Sequence, residues 1–207
     1  YNLYDNDDGT VTVTIQTQDS GNWWQHKMVK VAELPGESPI AGSWYLSTEI
    51  GSMGVGPAEF DTQWFNNTAV INDERACWFD DAYIFGADGS FAIDQQSETW
   101  IEGWQGSDEG ADICGTPVAP HDGSAATHVY DADAETLTLQ GAGAYIGLSK
   151  VTNSGELATP DAAPAELVYN AYLSEDQRTL TLTIQTTDTG NWLSLIHISE
   201  PTRHLFI

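Results

Sequence analysis

The stretch Trp100-Ile-Glu-Gly-Trp104 carries the residue types and spacing best suited to chemistry. As a continuous strand it places Trp100, Glu102 and Trp104 on one face, with the two indoles about 13 Å apart. Two indoles flanking a carboxylate can stack on sugar rings while the carboxylate accepts hydroxyl hydrogen bonds. The competing use of the same residues is an inward Trp pair that fills a small β core. Pro120-His121-Asp122-Gly123 adds a polar lip to such a site or simply makes a turn. The candidate carbohydrate-binding residues are therefore Trp100, Glu102, Trp104, His121 and Asp122.

Other clusters carry less. Glu59-Phe60-Asp61 resembles the start of the ExDxxE carboxylate set of retaining β-glucanases of glycoside hydrolase family 16. Position 63 is Gln, 64 is Trp, and no further Glu occurs until Glu74, so the acid/base partner is missing. The stretch reads as a solvated acidic loop after Gly56-Pro57. No Ser/His/Asp arrangement, phosphate loop or HExxH occurs, and no catalytic residue is assigned; an enzyme is not expected. Asp5-Asn6-Asp7-Asp8-Gly9 has the oxygen ligands and Gly of a calcium loop, and Asp80, Asp81 and Asp88 are further calcium candidates. The second copy of that loop, described below, has lost the Gly and most of the oxygens, which favours a hairpin turn. Cys77 and Cys114 pair as a disulfide if the protein is secreted; two buried free thiols are the alternative. Zinc lacks the CxxC spacing it needs.

The elements that position these residues read as β throughout. Val11, Val13 and Ile15 alternate with Thr12, Thr14 and Gln16, and Leu180, Leu182 and Ile184 with Thr181, Thr183 and Gln185, the period-two pattern of half-buried strands. Further strands are expected over 43–48, 82–85, 90–93, 98–104, 127–130, 136–139, 144–147 and 167–172. Ala87-Asp88-Gly89 and Asp131-Ala132-Asp133 supply turns. No long window has helical periodicity. The expected fold is all-β, an antiparallel β-sandwich or barrel, jelly-roll-like. A lipocalin-like barrel is the alternative, because Gly42-Ser43-Trp44 resembles the GxW opening of that family.

An internal repeat sets the domain boundaries. Residues 1–23, YNLYDNDDGTVTVTIQTQDSGNW, return at 169–192 as YNAYLSEDQRTLTLTIQTTDTGNW, with one inserted residue in the turn. Residues 1–31 are thus expected to be the C-terminal hairpin of a preceding copy, 32–40 a linker, and 41–192 a second copy lacking its last strand. The first copy continues after its GNW with WQHKMVKV, whereas the second continues with LSLIHISEPTR. That string matches the translation of a transposase adapter used in sequencing libraries, so 193–207 is expected to be non-native. Losing the final strand leaves an unpaired sheet edge.

Acidic residues outnumber basic ones 31 to 6, for a formal charge of −25. Phosphate contacts need Lys and Arg, so a nucleic-acid partner is not expected. Disorder is excluded by 41% hydrophobic residues with 8 Trp, 8 Tyr and 6 Phe. No apolar stretch approaches the length of a membrane span. One-sided charge repels itself at low salt and is screened at seawater-like ionic strength.

The segments GSWYL, GVGP, ERACWFDDAYIFGADGSF, ETWIEGWQG, CGTPVAPHDGSAAT, TLTLQGAGAYIGLSKVTNSGEL and APAELVYNAYL together resemble a family of repeated accessory β domains. That family belongs to secreted multidomain proteins of marine Bacteroidota, often beside laminarinase-type family 16 glucanases. The resemblance covers about residues 41–192. It implies a non-catalytic domain, secreted or at the cell surface, with polysaccharide as partner and tandem copies of itself in the parent chain.

Overall fold

A computed structural model describes the backbone of residues 2–5, 10–16 and 23–29, and residues 38–106, 110–186 and 191–199, with side chains to 193. Two compact units separate at Tyr1–Glu37 and Ser38–Ile207. In the first, β1 (Asn2–Asp5), β2 (Thr10–Gln16) and β3 (Trp23–Val29) form an antiparallel sheet in that order. Residues 6–9 of the calcium-loop candidate, and most of the expected linker, lie outside the described residues.

The second unit runs β4 (Gly42–Leu46), β5 (Met53–Gly56), β6 (Phe65–Asn66), α1 (Ala69–Glu74), α2 (Ala76–Phe79), β7 (Ala82–Phe85), β8 (Ser90–Asp94) and β9 (Thr99–Ile101). It continues with β10 (Ile113–Gly115), β11 (Ala126–Asp131), β12 (Thr136–Gln140), β13 (Val151–Thr152), β14 (Gly155–Glu156), β15 (Glu166–Leu173), β16 (Thr179–Thr186) and β17 (Asn191–Ser199). Ten of these strands make one curled antiparallel sheet in the order β16-β15-β12-β11-β8-β7-β4-β17-β5-β6. The expected all-β class holds. From β7 to β17 each strand of the sheet lies beside the next, an up-and-down path, and β17 then lies between β4 and β5. Short Asp-anchored turns produce it. Asp88 Oδ1 accepts from the Ser90 backbone N–H at 3.0 Å, and Asp131 Oδ1 accepts from Asp133 N at 3.0 Å and Ala134 N at 2.9 Å.

Alternation along the strands sends one set of side chains into a single core. Trp44, Trp78, Tyr83, Phe85, Leu137, Leu139, Tyr169, Leu180, Leu182 and Ile184 are all buried there. The Trp44 indole donates to Ile40 O at 2.8 Å, so the apolar ring enters without an orphaned donor. The strand expected at 144–147 does not form. Ala144, Tyr145 and Ile146 are buried, but side chains satisfy the backbone there. Tyr169 OH accepts from Ile146 N at 3.0 Å, Tyr83 OH accepts from Gly147 N at 3.1 Å, and Gly147 O accepts from the Trp78 indole at 3.2 Å.

The unpaired edge expected after Trp192 is absent as well. β17 pairs with β16 on one side, and with β5 and then β4 on the other. Its register starts as β3 does in the first unit, with Gln185 across from Trp192 and Ile184 from Leu193, as Gln16 is across from Trp23 and Ile15 from Trp24. A bulge between Leu180 and Leu182 then brings Ile198 opposite Leu180. A stretch rich in Leu and Ile has the β propensity to fill this slot even with a sequence unlike the first copy's.

Candidate functional site

The strand expected across 98–104 stops at Ile101. Glu102 has extended backbone and caps a 3-10 turn, Gly103–Gln105, through a reciprocal capping box with Gln105. Gly103 starts this turn against the Gly110 carbonyl, where a Cβ would collide, and Gly106 ends it at φ +83°. Trp104 therefore leaves the strand face, and the platform of Trp100, Glu102 and Trp104 in one row does not exist. Its indole instead donates to Glu102 Oε2 at 3.1 Å. Its ring packs edge-on against His121, with centroids 5.7 Å apart.

His121 is 2% exposed, wedged between Trp104 and Tyr145. Burial holds its imidazole below the usual histidine range despite neighbouring Asp122. It packs between these two rings and braces Trp104. Asp122 is exposed and turns onto Ser124, whose hydroxyl and backbone N–H donate to Asp122 Oδ1; the Ser124 side-chain hydrogen bond is the main reason its carboxyl lies below the usual range. The 120–123 segment is thus a turn.

Trp100 lies opposite Cys114 of β10, and a Cys77–Cys114 disulfide fastens β10 to α2. Arg75, between α1 and α2, sets its guanidinium 4.5 Å above the Trp100 ring and 5.8 Å from Phe65 and Trp78. Arg75 and Glu102 line a cavity of about 190 Å³ at the mouth of the curled sheet. Lys150 joins them, with Nζ 3.4 Å from Glu102 Oε1 and 3.6 Å from Glu156 Oε2. Thr186 and Asn191 complete a polar rim over an apolar floor that includes Val55, Phe65 and Leu148. Of the five residues singled out in the sequence, Glu102 alone lines this cavity, and Trp104 and His121 support it from behind. Arg75 and Lys150 were not singled out, yet bases number only 6 in the chain, and that scarcity was the available signal.

Two further carboxyls are held differently. Asp81 is fully buried; Oδ2 accepts from Thr99 Oγ1 at 2.6 Å, and Oδ1 has no partner. Burial raises its pKa to about 7. Glu59 does not sit in a merely solvated loop. Its Oε1 accepts from Thr183 Oγ1 at 2.6 Å, Asn170 Nδ2 at 2.8 Å and Tyr172 OH at 3.1 Å. Burial pushes its pKa up, but these three hydrogen bonds together hold it below the usual range. The loop reaches this position across Gly56, where any Cβ would strike the Asp61 backbone. Asp80, Asp81 and Asp88 do not converge; among the described residues no group of three or more His, Cys, Asp or Glu is arranged to hold a metal ion.

Among the described residues no helix is long and apolar enough to cross a membrane. No family model, curated protein or solved structure matches the chain.

Proposed function

We propose that this chain is part of a non-catalytic accessory region of a secreted or cell-surface protein, and that its β domain binds polysaccharide. The observation that carries the reading is the mouth cavity. Glu102 and Lys150 place a fixed acceptor and donor beside an apolar floor, which suits a ring with hydroxyls at its edge and C–H groups on its faces. The Cys77–Cys114 disulfide supports an oxidising compartment. The resemblance to repeated accessory domains supports both the ligand class and tandem copies in the parent chain.

A non-catalytic role is supported by how the carboxyls are engaged. Glu102 and Glu156 are both paired with Lys150, Glu59 is spent on the sheet, and the protonatable Asp81 is sealed from solvent. A second reading, a structural spacer without ligand, is favoured by Trp44 and Trp78 lying in the core and by Trp104 donating its indole N–H within the domain.

Affinity electrophoresis separates the two. Native gels containing laminarin, a soluble β-glucan, are expected to retard the protein relative to gels without it, and Lys150→Ala is expected to weaken the retardation several-fold. Unchanged mobility in laminarin and in related glucans leaves the spacer reading.

A further inference from the structure

We infer that the outer face of the β15–β16–β17 sheet is a surface for an extended, uncharged polysaccharide. The inference rests on the polysaccharide reading and deepens it by adding a contact surface away from the mouth.

The repeat supplies the first argument. In the second unit Asn170 pairs with Thr183, Tyr172 with Thr181 and Gln185 with Trp192. In the first unit Asn2 pairs with Thr14, Tyr4 with Thr12 and Gln16 with Trp23, the same residues in the same register. Positions of the opposite parity behave differently. Tyr169 and Ile184 match Tyr1 and Ile15, but Ala171, Leu180 and Leu182 stand where the first copy has Leu3, Val11 and Val13. Inward positions drift among apolar residues, as a core tolerates. The positions Asn170, Tyr172, Thr181, Thr183, Gln185 and Trp192 are instead identical to their counterparts; Thr183 is fully buried, whereas Gln185 is exposed and Trp192 half-buried.

A structural duty accounts for part of that identity. Asn170, Tyr172 and Thr183 hold the Glu59 carboxylate. It does not account for Gln185, which is exposed, or for half-buried Trp192 beside it. These two line a shallow trough of about 210 Å³ together with Asn153, Val168, Asn170 and Thr183.

The chemistry of the trough selects the ligand. The Trp192 indole provides a stacking surface and the exposed Gln185 amide a hydroxyl partner beside it, and no lining residue carries a charge. The Glu59 carboxylate is bonded to Asn170 and Thr183 of the lining, and the chain as a whole carries −25, so a polyanion is repelled and no lining base receives it. Addition of a strand from a partner is blocked at the trough's edge. The Asn153 amide donates to Val168 O at 2.7 Å and accepts from Val168 N at 2.9 Å, which occupies the backbone groups such a strand needs.

The test uses the full chain in native gels containing laminarin, which is neutral, or alginate, a polyuronate. Because the same residues recur in the first copy's sequence, the variants are paired as Gln16→Ala with Gln185→Ala, and Trp23→Ala with Trp192→Ala. The Gln pair guards against misfolding of the Trp pair, and thermal melts check both. Val129→Ala, at an exposed position on β11, is the control. Laminarin is expected to retard the wild type and Val129→Ala alike, alginate neither, and each pair is expected to lose about tenfold in affinity. Wild-type affinity in a folded Gln pair overturns the inference; if Lys150→Ala loses binding in the same gels, the mouth reading survives. Equal retardation in alginate overturns the neutral class. No retardation of the wild type in laminarin overturns the inference and the reading beneath it, and self-association of the wild type that the Gln pair lacks then assigns the face to a second copy of the chain.

Discussion

Asp81→Asn is expected to raise the melting temperature at pH 8 by roughly 10 °C and to leave it nearly unchanged at pH 4. In the folded protein Asp81 keeps its proton up to about pH 7, because full burial disfavours the charge and one carboxyl oxygen has no hydrogen-bond partner. In the unfolded chain the group ionises near the ordinary value of about 3.9. Between these limits the folded state binds more protons than the unfolded state, so stability falls as pH rises from about 4 to about 7 and is level on either side. Three units of difference correspond to about 4 kcal/mol. The amide keeps the shape and can accept from Thr99 without the charge. Mutual repulsion among the other acids also changes with pH, but it is common to both proteins, and the difference between their melting curves isolates Asp81. Parallel profiles from pH 4 to pH 8 would show that Asp81 ionises freely in the folded state.

Loss of the Cys77–Cys114 link is expected to cost a similar amount. The bridge spans 37 positions, and closing a loop of that size restricts the unfolded chain by about 4 kcal/mol. It also fastens β10, and through it β9, to α2 on the side of the domain where Arg75 stacks on Trp100. Cys77→Ala with Cys114→Ala is therefore expected to lower the midpoint by roughly 10 °C, and the mouth should lose order before the main sheet does. Reduction by a thiol should reproduce the effect in the wild type and do nothing to the variant. An unchanged melting curve on reduction would remove the disulfide from the account.

Period-two alternation made the main sheet legible. In the strand at 136–140, buried Leu137 and Leu139 alternate with half-exposed Thr136 and Thr138, and at the start of the strand at 179–186 buried Leu180 and Leu182 alternate with half-exposed Thr179 and Thr181. The same alternation misled at 144–147, because an apolar run looks alike whether its backbone bonds to a strand or to Tyr83 and Tyr169. It misled again at 98–104, where the Glu102–Gln105 capping box, a feature of helix starts, ended the strand at Ile101. The site was partly legible. Glu102 was found by its type between two indoles, but its partner Lys150 is 48 positions away and lies in no motif. Glu59 was found for the wrong reason, as a failed catalytic pattern. Its true partners, Asn170, Tyr172 and Thr183, come from strands far along the chain and are adjacent only after the sheet curls. The repeat, by contrast, is readable in the sequence alone, and the sheet register places its two copies in the same strand pairing.

The most direct test is amide hydrogen exchange of the full chain with and without a laminarin oligosaccharide, read by peptide. The account predicts slowed exchange in peptides covering 166–172, 181–186 and 191–193, with smaller changes around 148–156 at the mouth. Protection confined to peptides around 100–105 and 120–124, with none on β15, β16 or β17, would contradict it.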